Sequence, residues 1–228
     1  MTPKLSIHIG RLRLKNPVLV ASGTFGYGRE FKDFINLKEL GAIVTKTITL
    51  KPRQGNPPPR TCETPSGLLN SIGLENPGLE GFLQEKFPFL KKLGVPVIMS
   101  IASEEGPDEF VKLAQRLDTI REVAAVELNI SCPNIKSHRL ISQDPKATYD
   151  LIKAVRKATK KTLITKLSPN VTDIVEIALA AEGAGSDAVS LINTLGGMCV
   201  DIETRRPKIA AVTAGLSGPA IRPIAVRM

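Results

Sequence analysis

Ala125–Asn134 reads AVELNISCPN, an apolar strand-like run that ends in Asn129-Ile130-Ser131-Cys132-Pro133-Asn134. A core would not choose that ending, because a buried polar group without a partner costs free energy. The same ending recurs along the chain. Short apolar runs near Pro17–Ala21, Ala42–Thr47, Val95–Ala102, Ala125–Ile130, Thr162–Leu167 and Ala188–Ile192 read as buried strands. The first ends at Ser22-Gly23, the second contains Lys46, and the third reaches Ser100. The fifth ends in Lys166 and the sixth in Asn193-Thr194. Helical patterns lie between them: Ala147, Leu151, Ile152 and Val155 share one face, as do Ile174, Ile177, Ala178 and Ala181. Strand–helix alternation predicts a parallel α/β fold. In a (β/α)8 barrel the C-terminal ends of all strands converge on one face and carry the site. A doubly wound sheet needs polar ends only at its switch point, and no G-x-G-x-x-G follows the first strand. The chain therefore reads as α/β, a (β/α)8 TIM barrel with about six of its eight strands present. A single barrel domain is expected over residues 1–228.

Local signals place the boundaries. Asp144-Pro145 reads as N-cap and first helical residue, and Asn170 followed by Asp173 gives a similar start. Gly41 and Gly94 stand where preceding helices should stop. Two segments break the alternation. Pro52–Gly67 is a Pro-rich excursion expected to be irregular, and Met198–Gly218 is a second long connection before a helix-like stretch from Pro219. Long irregular loops in a compact domain are usually functional or mobile.

Composition narrows the function classes. Hydrophobic residues make up 42% and charged residues 23% of the 228, the balance of a globular protein. No apolar run approaches the ~18 residues of a membrane span, and the N-terminus enters a strand pattern without a signal-peptide core. The expectation is a cytoplasmic protein. Cys62, Cys132 and Cys199 form no C-x-x-C pair, which argues against a disulfide framework, a metal site or an iron–sulfur cluster held by this chain alone. Cys62 and Cys199 read as loop residues without chemistry. The net charge of +9 is dispersed, aromatics are 4% and Trp is absent, so nucleic-acid binding is not expected. A basic face for a partner subunit or an anionic ligand fits better.

The candidate site follows from the strand ends. Lys46 and Lys166 lie within apolar runs, where each either extends its ammonium past the strand end or meets an anion. Two on converging strands, beside Asn and Ser, favour a shared anionic ligand. Asn70, Asn129, Asn134 and Asn193 each adjoin an apolar segment. Singly each reads equally well as a turn residue. Together they suit the alternating N–H and C=O edge of a pyrimidine, since an amide offers a donor and an acceptor on one plane. Cys132, between Ser131 and Pro133, is a candidate base for a weakly acidic C–H, given a thiol pKa of ~8.5 and exclusion of water.

Six ordered strings carry a resemblance: NSIGLENPG (70–78), ELNISCPN (127–134), KLSPNVTDI (166–174), INTLGGM (192–198), ETRRPK (203–208) and GLSGPAI (215–221). Together they resemble the class 1 dihydroorotate dehydrogenases, and within these the NAD-linked, heteromeric type (class 1B), from the N-terminus to Met228. The Cys in NISCPN resembles class 1, since the membrane-associated class uses Ser as base. The resemblance implies oxidation of dihydroorotate to orotate in pyrimidine biosynthesis, with FMN bound by Ser22, Lys46, Thr47, Ser100, Asn129, Lys166, Ile192 and Gly218. It implies a pyrimidine held by Lys46, Asn70, Ser71, Ile72, Gly73, Leu74, Asn129, Asn134, Asn193 and Thr194. Cys132 would remove the C5 proton as the C6 hydride passes to flavin N5, and Lys166, near the flavin N1 edge, would stabilise the reduced anionic flavin. It further implies a homodimer of this chain within a heterotetramer, whose electron-transfer subunit carries FAD and a [2Fe–2S] cluster and delivers electrons to NAD.

Three departures from the family pattern stand out. Residues 135–142 (IKSHRLIS) replace a Gly-rich lid and are shorter, which removes hinges for closure. Ser100 and Ser103 stand where Asn and Gly are common. The sequence stops at Met228, within the helix after the sixth strand, where a family member continues through two more strands whose loops hold the FMN phosphate. The rival readings are a fumarate-linked class 1 enzyme or related flavin-dependent pyrimidine reductase, and a non-catalytic barrel fragment. ETRRPK and GLSGPAI argue against the fumarate-linked type.

Overall fold

In the computed structural model, which describes residues 4–103, 105–130 and 140–228, the chain opens with a hairpin. Its strands are β1 (Ile7–Ile9) and β2 (Leu12–Leu14). β3 (Leu19–Val20) and β4 (Ala42–Val44) follow, joined by short 3-10 turns. An antiparallel pair, β5 (Thr61–Thr64) and β6 (Gly67–Asn70), then leads into α1 (Gly78–Gly81) and α2 (Phe87–Leu93). Regular alternation resumes with β7 (Val97–Ile101), α3 (Pro107–Asp118), β8 (Val123–Asn129), α4 (Pro145–Ala158), β9 (Thr162–Lys166), α5 (Ile174–Gly183) and β10 (Ala188–Ser190). The last part holds β11 (Leu195–Gly197), β12 (Val200–Asp201), β13 (Arg206–Pro207), β14 (Ala214–Ser217) and α6 (Arg222–Arg227).

Six strands form one parallel sheet in the order β10-β9-β8-β7-β4-β3. Each strand after β3 joins the edge left by its predecessor, so the order never reverses. That is the winding of a barrel and not of a doubly wound sheet, which needs a switch point. The sheet also curls. Lys166 at the end of β9 donates from Nζ to Ser22 Oγ, just past β3, at 3.1 Å. Four inter-strand steps on a flat sheet would separate those strands by about 19 Å. Among the described residues the sheet runs from β3 at one edge to β10 at the other, six strands of an incomplete barrel.

Side chains divide by parity, as pleated strands require. Ala42, Val44, Ile98, Ala125 and Ile164 point inward and close on Leu14 of the N-terminal hairpin, which plugs the barrel floor. The alternate residues Ile43, Val97, Met99, Ile101, Val126, Leu128 and Leu163 point outward and pack against Phe110, Leu113 and Leu117 of α3 and Leu151, Ile152 and Val155 of α4. Helix starts follow their caps. Asp144 Oδ1 accepts from the N–H groups of Lys146 and Ala147, and Asp173 Oδ1 from that of Val175. Gly94 ends α2 in the left-handed region at φ 70°.

Several expectations need correction. Gly41 does follow a stop, but of a short 3-10 turn, Leu37–Glu39 capped by Leu40, and without a positive φ. Asn170 does not start α5; its side chain is used elsewhere. The segment 52–67 is not wholly irregular, because β5 pairs along β6 from Thr61↔Asn70 to Thr64↔Gly67. The segment 198–218 likewise holds β12, β13 and β14. β14 inserts between β11 and β6, giving a four-stranded antiparallel sheet in the order β11-β14-β6-β5. Cys62 therefore sits within a strand and not in a loop.

Candidate active site

Inward parity brings the chemistry to one end of the barrel. On β8 the inward series is Ala125, Glu127, Asn129; on β9 it is Thr162, Ile164, Lys166; on β7, Ile98 and Ser100. Each series starts small or apolar near the floor, or with a hydroxyl in the case of Thr162, and ends polar at the C-terminal edge. Asn129 and Lys166 are register partners on neighbouring strands. Ser100, Asn129 and Lys166 are at most 7% exposed, Ser22 8% and Thr47 5%.

These groups are linked across the mouth. Thr47 Oγ1 and Ser100 Oγ lie 2.9 Å apart, and Asn129 Nδ2 donates to Thr47 Oγ1 at 3.2 Å. Asn193 Nδ2, beyond β10, donates to Asn129 Oδ1 at 3.2 Å. Asn193 Oδ1 accepts from the Thr194 N–H at 2.7 Å. Ile192 enters this segment through a cis peptide bond from Leu191. Lys46 is half-buried, its backbone N–H donates to Gly26 O at 2.8 Å, and its ammonium has no hydrogen-bond partner among the described residues.

The antiparallel sheet delivers a second set of residues to the same place. Asn70 ends β6 and donates from Nδ2 to Gly215 O at 3.4 Å. Gly215 lies so close to Thr194 that a Cβ there would sit 2.0 Å from Thr194 Oγ1. Residues 71–74 are held from below: the Ser71 N–H donates to Arg60 O at 2.8 Å, and Asn56 Nδ2 to Ser71 Oγ at 2.7 Å. Ile72 O accepts from the Asn56 N–H at 3.0 Å. At Gly73, with φ 73°, a Cβ would come 2.5 Å from Asn56 N, and Leu74 adopts φ 56°, a region costly for a branched side chain. Glu75 follows. Its carboxyl is held below the usual range, first by its hydrogen bond and ion pair with Arg60 and further by the charge of Lys46.

Most of the residues read from the strand ends therefore converge. Gly218 stands apart: it caps the turn before α6 at φ 100°, against Gly67. Cys132 and Asn134 lie outside the described residues. Two residues were missed. Glu127 is 3% exposed, faces the interior two positions before Asn129, and its Oε1 has no hydrogen-bond partner among the described residues. Period-two parity counted back from Asn129 would have found it. Asn170 donates from Nδ2 to Thr194 O at 3.1 Å and accepts from the Gly196 N–H at 2.8 Å, buttressing the Asn193–Thr194 segment. It has no signal in sequence beyond its place after Lys166.

The geometry is a polar, doubly cationic mouth on an apolar barrel, with planar amides and hydroxyls facing inward. A family model for dihydroorotate dehydrogenase matches residues 4–228. The chain is 57% identical over 229 residues to the protein named dihydroorotate dehydrogenase B (NAD(+)), catalytic subunit, of Trichlorobacter lovleyi, covering 100% of this chain and 75% of that one. It is 56% identical over 227 residues to the protein of the same name from Geobacter sulfurreducens, covering 99% and 74%. Among solved structures it resembles the dihydroorotate dehydrogenase of Eimeria tenella in complex with ferulenol, with a TM-score of 0.71 over 96% of this chain and 66% of that one; at 24% identity this likeness speaks for the fold alone. On the match along its length and the identity to these relatives, the chain belongs to the dihydroorotate dehydrogenase family.

Proposed function

We propose that this chain is the catalytic part of an NAD-linked dihydroorotate dehydrogenase, oxidising dihydroorotate to orotate for pyrimidine biosynthesis at the C-terminal mouth of the barrel. The observation that carries the reading is the linked set Lys166–Ser22, Asn193–Asn129 and Asn129–Thr47–Ser100, drawn from both ends of the chain onto one face. The residues present fit FMN. Lys46 has an ammonium without a hydrogen-bond partner among the described residues, Glu127 offers a buried acceptor, and the buried Lys166 donates to Ser22 Oγ at 3.1 Å. When bound, FMN supplies the acceptor for the hydride leaving C6 of dihydroorotate.

The chain's own residues would do the rest. Ser22, Lys46, Thr47, Ser100, Asn129, Lys166, Ile192 and Gly218 would hold the flavin, with Lys166 supplying positive charge at its electron-rich edge. Lys46 and residues 70–74 would face the substrate carboxylate and ring, and Asn129, Asn134, Asn193 and Thr194 its amide edges. The Cys132 thiolate would take the C5 proton onto Sγ, and the carboxylate-binding arm would orient the ring so that C5 faces Cys132. A separate electron-transfer subunit carrying FAD and a [2Fe–2S] cluster would pass the electrons to NAD. Residues 1–228 would form one FMN-binding domain. Among the described residues no helix is long and apolar enough to cross a membrane. A cytoplasmic enzyme is consistent with that.

The test is a titration of the purified protein with FMN, followed by anaerobic addition of dihydroorotate. Stoichiometric flavin that bleaches on dihydroorotate supports the reading. A chain that binds FMN but is not bleached, or is bleached and then reoxidised by fumarate without a partner, overturns it in favour of another flavoenzyme. A chain that binds neither ligand, even with the partner subunit present, is a non-catalytic member of the family.

A further inference from the structure

Cys62 and Cys199 are 137 positions apart by number and were expected to be inert, yet the fold brings them together. The framework that does so is backbone. Cys62 lies in β5 opposite Leu69 of β6. Leu69 Cδ2 lies 3.2 Å from where a Cβ on Gly197 would stand, two residues before Cys199. The Lys208 N–H donates to Cys199 O at 2.9 Å, and the Ala210 N–H to Pro59 O at 3.0 Å, three residues before Cys62. The two thiols are brought close enough to act on each other electrostatically, while the Cys62 S–H donates to Glu63 O at 3.3 Å. Both are half-buried, so a small solute reaches them.

Their positions matter more than their proximity. Cys62 is on the strand that supports β6, whose end carries Asn70 and the 71–74 loop. Cys199 follows β11, which runs directly on from Asn193 and Thr194. A covalent link between them would join the two arms that flank the mouth.

We propose that Cys62 and Cys199 are a redox pair that closes to a disulfide when a hydroperoxide is present and reopens under thiol reductants. In the first step the Cys62 thiolate attacks the peroxide, the O–O bond breaks, and the sulfur is left as a sulfenic acid with the remaining oxygen leaving as water or alcohol. In the second step the Cys199 sulfur, losing its proton, displaces hydroxide from that sulfenic acid, and water departs. The two sulfurs together lose two electrons and the peroxide gains them. Burial foremost, then the neighbouring Cys199 thiol, push the Cys62 thiol above its ordinary range, while Lys208 opposes this. Thiolate is therefore scarce at neutral pH, and closure accelerates as pH rises. In a reducing compartment the open dithiol is the resting state, as for most intracellular pairs of this kind.

The test treats the holoenzyme, partner subunit included, with hydrogen peroxide, blocks free thiols by alkylation, and maps peptides without reduction. A linked Cys62–Cys199 peptide is expected. With it, the melting temperature should rise by about 5 °C, reverting with dithiothreitol. Neither change should occur in Cys62→Ser or Cys199→Ser, which keep the resting activity. Separate oxidation of the two cysteines without a link, or a link from either to Cys132, overturns the proposal. A link that leaves both the melting temperature and the KM for dihydroorotate untouched overturns the coupling of the two arms. The KM readout alone rests on the substrate role proposed for Asn70 and Asn193. If the protein binds no dihydroorotate that role fails, while the cross-link and its thermal signature still decide the redox pair.

Discussion

The barrel sheet and the antiparallel sheet at its mouth deliver residues to the same place by different means. Every residue of β7 and β9 is buried, and their side chains alternate between the plugged interior and the helices. None of β14 is buried, and of β6 only Leu69 is. The barrel positions Ser100, Asn129 and Lys166 by parity on stiff, doubly covered strands. The antiparallel sheet positions Asn70 and Thr194 through close backbone approach at Gly67, Gly197 and Gly215, with little apolar burial. The barrel is thus the more rigid reference, because its strands are covered on both faces. The antiparallel sheet is the part able to yield when a ligand enters. Fold and kcat should depend on the first region, and KM on the second.

The largest contrast lies in stability. Phe110 in α3 is 0% exposed and packs against the outer face of the sheet, so Phe110→Ala should cost about 3–5 kcal/mol. Leu68 in β6 is 38% exposed, and Leu68→Ala should cost less than about 1 kcal/mol. Urea unfolding of both variants measures the difference; equal losses would mean that the antiparallel sheet is as integral as the barrel. Next comes turnover. Cys132, three residues beyond β8 in the chain, should, when changed to Ala, slow flavin reduction by dihydroorotate at least ~100-fold while flavin and orotate still bind. Near-normal single-turnover reduction would remove Cys132 from the chemistry. Cys132→Ser should keep some rate at high pH.

A smaller effect should fall on binding. A methyl at Gly215 would collide with Thr194, so Gly215→Ala should displace Asn193 and Thr194 and raise the KM for dihydroorotate about tenfold, ~1.4 kcal/mol, with kcat changed less. A fall confined to kcat would break the division of labour between the two regions. The smallest effect concerns the barrel's lower rim. Asp118 Oδ1 accepts from Thr159 Oγ1 at 2.6 Å and from the Lys160 N–H at 2.8 Å, tying the end of α3 to the entry of β9. The Thr159 hydroxyl, then the backbone N–H groups and Lys161, hold its carboxyl below the ordinary range. A carboxylate whose pKa is lowered on folding contributes stability above its unfolded pKa, ~3.9, and loses it as pH falls through the lower folded value. Asp118→Asn should therefore melt slightly earlier than the parent at pH 7, and the gap should close toward pH 3. A gap independent of pH would assign the effect to packing.

The two regions also differed in how legibly they were written. Runs such as Thr162–Leu167 and Ala125–Ile130 announced their strands to within two residues, because strands covered on both faces must be continuously apolar and their polar ends therefore stand out. Lys46, Ser100, Asn129 and Lys166 were visible for that reason. β5, β12, β13 and β14 were not. They are two to four residues long and unburied, and β14 pairs with chain more than a hundred residues away, as in Gly215↔Asn70, so no local pattern marks them.

What the sequence determined by itself is the barrel, its open end and the polar residues at its strand ends, since periodicity and burial act locally. The tertiary structure alone decided which distant groups meet. It set the Lys166–Ser22 bond that reports the curl of the sheet, the use of Asn170 as a buttress, and the approach of Cys62 to Cys199. Those contacts depend on sheet curvature and on the register of antiparallel pairs, which arise only when chain segments with no local relation pack against one another.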